Sequence, residues 1–127
     1  TSIIPEQRYI VLGAEISLTE GKKEEIKAQM DDFRQKRVSK QPLEYPSAGS
    51  TFKRPEGYFA GKLIQDSGLK GFTVGGAQVS EKHSGFVINK GNATAADVME
   101  LIRQVTAKVK EDTGVTMEPE VKQIGEF

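Results

Sequence analysis

The stretch "TAADVMELIRQVTAKVKEDTG", residues 94–114, constrains the fold of this chain more than any other. Thr94 and Asp97 stand at capping-box spacing, Val98, Leu101, Ile102, Val105 and Val109 recur along one face, and Gly114 supplies a left-handed stop. A helix with one apolar stripe must bury it against a second layer. Strands for that layer are legible elsewhere. Residues 9–18, "YIVLGAEISL", place Ile10, Leu12, Ala14, Ile16 and Leu18 on one side of a period-two alternation, which predicts a strand with a buried face. "FTVGGAQVS" and "GFVINKG" predict two strands paired through "EKHS", with Gly75 and Gly76 marking a bulge or the close approach of another backbone. In "VTMEPEVKQIG", Val115, Met117 and Val121 alternate with Glu118 and Glu120, predicting a last strand that Pro119 confines to an edge or bulged position.

Two further helices are expected. Ile26, Met30 and Phe33 recur at helical spacing between about Thr19 and Val38, and "SKQP" closes that segment because the residue before Pro42 is pushed out of the helical region. A shorter helix lies within residues 57–68, with Phe59, Leu63 and Ile64 on one stripe and Gly68 as its stop. Residues 43–56 read as a loop. Neither strict strand–helix alternation nor an internal repeat emerges, so the expectation is a single α+β domain over residues 1–127, with helices packed on a mainly antiparallel or mixed sheet.

Composition narrows the function classes. The 127 residues carry a formal net charge of +0, which offers no overall field to draw in nucleic acid. There is no cysteine, so disulfides, thiolate nucleophiles and cysteine-type zinc clusters are excluded, and a cytoplasmic protein is the expectation. No apolar run approaches the roughly 20 residues of a membrane span, so no membrane partner is expected. The opening "TSIIPEQRY" is that expected of a processed chain or a fragment.

Charge is uneven along this neutral chain. Between Arg34 and Arg54, six cations (Arg34, Lys36, Arg37, Lys40, Lys53 and Arg54) face Glu44 alone, a local excess of +5. "SAGSTFKR" within that span joins small residues, hydroxyls and two charged donors, the ingredients of a phosphate-binding loop, yet it matches no nucleotide fingerprint. On these grounds a solvated basic turn is favoured over a bound phosphate. Glu118 and Glu120 lie two apart and would share one face of a strand, which suits acid–base work or an exposed polar edge. His83 is the one histidine, so neither a histidine metal cluster nor a second histidine for a triad is available.

The blocks "KQPLEYPSAGSTFKRP", "GLKGFTVGGAQVSEKHSGFVIN", "ATAADVMELI" and "GVTMEPEV" resemble, in this order and spacing, the C-terminal substrate domain of bacterial UDP-N-acetylenolpyruvoylglucosamine reductase. The resemblance implies a flavoenzyme of peptidoglycan precursor synthesis, in which NADPH reduces FAD and a hydride passes to the enolpyruvyl double bond of UDP-N-acetylglucosamine enolpyruvate, yielding UDP-N-acetylmuramate. It implies that Ser50 donates the proton and that Glu120 assists, with Glu118 as its companion. It further implies that Lys40, Arg54 and His83 face the substrate, Lys40 and Arg54 at its diphosphate. Relatives with a long tyrosine-bearing lid insert it where "ISLTEGKKEEI" here runs directly, so the lidless subgroup is implied. The flavin-binding domains of the family lie upstream of this domain, so FAD and NADPH would be held mainly there and this chain would be inactive alone. Two alternatives from other classes are a stand-alone module binding a phosphorylated ligand through residues 34–54 and a single-stranded nucleic-acid binder, which the neutral total disfavours.

Overall fold

The helix dictated by residues 94–114 forms as its ends require. A computed structural model describes residues 2–125 and places α4 at Ala95–Thr113, preceded by α1 (Ile3–Gln7), α2 (Lys23–Lys40), β1 (Ser47–Ser50), α3 (Ala60–Asp66), β2 (Thr73–Val74), β3 (Ala77–Val79) and β4 (Phe86–Asn89). At the start of α4 the Thr94 hydroxyl accepts from Asp97 N–H while the Asp97 carboxylate accepts from Thr94 N–H, the reciprocal box foreseen. At its end Gly114 turns into the left-handed region at φ 74°. Leu101, Ile102, Val105 and Val109 are buried.

The chain divides into two compact units, Thr1–Phe33 and Arg34–Phe127. The second carries the α+β body. Its sheet has the order β1-β4-β3-β2, and every neighbouring pair is antiparallel. Helix α4 lies across β2 and β3, and α3 packs on α4. Leu63 and Ile64 of α3, Val79 of β3 and the four apolar residues of α4 join Phe52 and Met117 in one core. No helix is long and apolar enough to cross a membrane among the described residues.

Several expectations are corrected. Residues 9–18 form no strand: they run without regular structure, and Ile10 and Leu12 are 85% and 96% exposed. A strand exists only when a neighbour takes its N–H and C=O groups, and the four strands of the sheet are all drawn from the other unit. The helix expected from Thr19 begins at Lys23, just after Gly21, a poor interior helix residue, and buries none of its side chains. Within the expected 43–56 loop, "SAGS" becomes edge strand β1. Phe59 is not on the buried stripe of α3 but is its exposed N-cap. "FTVGGAQVS" splits into β2 and β3 around Gly75 and Gly76. There Gly76 lies so close to Gly91 and Ala93 that a methyl group would run into their backbone, the close approach that the paired glycines signalled. The last strand reduces to a single bridge between Phe52 and Pro119, in a register whose bonds come from the flanking residues and leave the missing N–H of Pro119 on the outer edge.

Candidate functional site

Ser50 is positioned by an irregularity in β1. Ser47 pairs with Ile88 and Ser50 with Phe86, so one extra residue stands on the β1 side. Gly49 absorbs it at φ 90°, a conformation that favours glycine, and the resulting bulge re-aims the next side chain. The strand is fastened again immediately after. Thr51 N–H donates to Gly85 O at 2.8 Å, and the buried Thr51 hydroxyl accepts from Val87 N–H at 3.0 Å. Ser50 itself is exposed, at the border of two depressions.

The first depression is a cleft of about 400 Å³ whose lining includes Ser50, Arg54, Gly61, Lys62, Lys82 and His83. Three residues singled out in the sequence, Ser50, Arg54 and His83, therefore meet in one place. Arg54 is held with its guanidinium 4.0 Å from the centre of the Phe59 ring while its Nε donates to Tyr58 O at 3.3 Å. Lys62 pairs with Asp66 at 2.8 Å and Lys82 with Glu44 at 3.5 Å. Glu44 is held below the usual carboxylate range, first by a backbone hydrogen bond and then by Lys82. Gly85 lies between the His83 and Ser50 side chains: a methyl group there would stand 3.1 Å from His83 Cε1 and 3.7 Å from Ser50 Oγ.

The second, shallower depression brings Glu120 to Ser50 from the far end of the sequence. Glu120 N–H donates to Thr51 O at 2.8 Å and Lys53 N–H to Glu118 O at 2.8 Å, so the C-terminal segment is clamped alongside residues 51–53. The two glutamates go separate ways. Glu118 accepts from Lys53 Nζ at 2.9 Å and lines a different cleft, and this bond is the main cause holding the Lys53 ammonium above its ordinary range. Lys53 is thereby committed to Glu118, leaving Arg54 as the cation of the pair on the Ser50 side.

Lys40 ends α2, is exposed, and is not among the residues lining the cleft. The basic segment 34–54 accordingly does not act as one patch. Arg37 donates to Gln41 at 3.1 Å, and two of the three cations in the cleft, Lys62 and Lys82, lie outside the segment. Sequence charge counting missed both because they are isolated in the chain. Lys82 could have been found from its place beside His83 in the quoted "EKHSGFVIN" block. Among the described residues no group of three histidine or acidic side chains could hold a metal ion.

Residues 41–124 match the family model described as UDP-N-acetylenolpyruvoylglucosamine reductase, C-terminal domain. The chain is 67% identical over 126 residues to the UDP-N-acetylenolpyruvoylglucosamine reductase of Agathobacter rectalis, covering 99% of this chain and 40% of that protein. It is 61% identical over 125 residues to the enzyme of the same name from Caldanaerobacter subterraneus, covering 98% of this chain and 41% of that protein. The crystal structure of UDP-N-acetylenolpyruvylglucosamine reductase from Thermus caldophilus superposes with a TM-score of 0.67 at 40% identity, over 84% of this chain and 37% of that one. The chain thus spans about 40% of the length of the curated relatives it matches.

Proposed function

The chain belongs to the family of UDP-N-acetylenolpyruvoylglucosamine reductase C-terminal domains, and from that premise we propose that its Ser50 cleft binds the UDP-sugar of that reductase and protonates it. The observation that carries the reading is the convergence of Ser50, Arg54, His83 and Glu120 on one edge of the sheet from three separated sequence blocks. Arg54, Lys62 and Lys82 are donors of the kind a diphosphate ester requires, and Arg54 offers a planar fork for its oxygens.

Ser50 Oγ–H gives its proton to the enolpyruvyl carbon as the double bond is reduced. A hydroxyl is a weak acid in water, so its effectiveness depends on being held against that carbon by the Gly49 bulge, with Arg54 beside the charge that develops. Glu120, presented by its backbone bond to Thr51, assists at the substrate carboxylate region. Lys40 acts, if the diphosphate reaches it, from outside the cleft described above.

The donors of this cleft suit one phosphorylated ligand, and nothing in their arrangement resembles a cradle for a second, dinucleotide-sized group. FAD and NADPH are therefore assigned to the part of the reductase that this chain does not cover, where they supply the hydride. The same part is the partner of residues 9–18, whose alternating apolar face is unburied. This chain alone is inactive, and the complete protein works in the cytoplasm on a peptidoglycan precursor.

The test is made in the full-length reductase. Ser50→Ala should slow reoxidation of the reduced enzyme by enolpyruvyl substrate by about 100-fold or more, the lower range of acid–base contributions, while reduction by NADPH changes little. Equal loss in both half-reactions would remove Ser50 from the proton-donating role.

A further inference from the structure

His83 sits in a turn whose hydrogen bonds settle which of its nitrogens can donate. The Ser80 hydroxyl, almost wholly buried, accepts from both Lys82 N–H and His83 N–H at 3.2 Å, and Phe86 N–H closes onto His83 O at 2.9 Å. Gly85 N–H then donates to His83 Nδ1 at 3.1 Å. A backbone N–H can only donate, so Nδ1 accepts and carries no proton. The ring proton must therefore be on Nε2.

The ring is fixed on its other sides too. Phe86 meets it edge-on with centroids 4.8 Å apart. Gly61, in the first turn of α3, approaches the backbone of the turn: a methyl group there would stand a tight 3.3 Å from Gly85 N and at ordinary contact, 3.5 Å, from His83 Cε1. Gly61 has no positive φ, so its small size serves this approach of helix to turn and not a backbone conformation. Nε2 has no partner among the described residues and is not a sealed-off atom, while the residue lines the cleft.

We propose that the Ser80–Gly85 turn locks His83 as the Nε2–H tautomer, giving the cleft a fixed hydrogen-bond donor for an acceptor oxygen of the ligand, not a base. Ser80 is the positioning residue of this device, holding the backbone that presents the imidazole, and Gly85, where a methyl group would stand 3.1 Å from Cε1 and 3.2 Å from Nδ1, leaves room for the ring. The identity of the ligand as a UDP-sugar rests on the function proposed above, whereas the tautomer does not.

Two measurements separate these parts. His83 is the one histidine of the chain, so long-range ¹H–¹⁵N correlation spectra of the ¹⁵N-labelled protein report on it alone. The expected pattern has the proton on Nε2 and an unprotonated Nδ1; a proton on Nδ1, or averaging between the two tautomers, overturns the lock. In Ser80→Ala the pattern should move toward averaging, and an unchanged pattern would remove Ser80 from its positioning role. In the full-length reductase, His83→Gln, which keeps a donor, should leave KM for the UDP-sugar within about 3-fold, whereas His83→Phe, which keeps a ring without one, should raise it about 10-fold and lower kcat less. Equal KM values for the two variants would overturn the donor role even if the tautomer is as stated.

Discussion

Single residues carry most of the chemistry, and their neighbours decide what each can do. Lys53 and Arg54 are adjacent in sequence, yet Lys53 is held by Glu118 while Arg54 lies over Phe59 at the rim of the Ser50 cleft. Glu118 and Glu120 are likewise separated into two depressions. Away from the site, Glu100 on α4 accepts from Arg103 at 2.6 and 2.7 Å and from Gln104 at 2.6 Å, which brings its carboxyl down to about 2, Arg103 acting first. Because the folded value lies below the ordinary 4.5, this stabilisation is present above pH 4.5 and is lost as pH falls through about 2. Urea midpoints of the native chain and Glu100→Gln should therefore differ most near neutrality and converge on acidification. A difference that grows with acid would contradict the assignment.

Elements show where local rules suffice. Helix α4 was fully legible, because its cap, stripe and stop act through neighbours within one turn. Helix α3 ends at the expected glycine, φ 70°, but Phe59 was placed on the wrong side, since a residue at an N-cap does not share the periodicity of the helix it precedes. The paired glycines carried two possible meanings, a bulge or a backbone approach; the structure has the approach and, in place of a bulge, a two-residue turn between β2 and β3. Gly76→Ala should accordingly destabilise the chain by about 1–3 kcal/mol, the range of an overpacked interior, read as a lowered urea midpoint. A loss below about 0.5 kcal/mol would mean that Gly91 and Ala93 yield without strain. The Gly49 bulge had no sequence signal beyond the glycine itself, because a bulge is defined by the register of the partner strand.

The whole molecule explains the one large failure of pattern reading. Residues 9–18 alternate as a strand should, but alternation states only which face would be buried and not what buries it. In the first unit they expose both faces, while the sheet of the second unit is complete without them. If their partner lies in the part of the reductase that this chain does not cover, Leu12→Asp should change the stability of this chain by less than about 0.5 kcal/mol and lower the melting temperature of the full-length enzyme by several degrees. An equal, small effect in both proteins would remove the segment from any sheet.

What the sequence by itself determined is whatever is enforced over short range or written in ordered motifs. That comprises the capped helix α4, the end of α2 before Pro42, the α+β class, and the blocks holding Ser50, Arg54, His83 and Glu120. Only the tertiary structure decided which of these residues meet. It joined Ser50 to Glu120, added Lys62 and Lys82, left Lys40 outside and fixed the donor nitrogen of His83. Periodicity and composition describe a residue's preference for a face or for water, whereas a site depends on strand register, bulges and ion pairs between residues far apart in the chain.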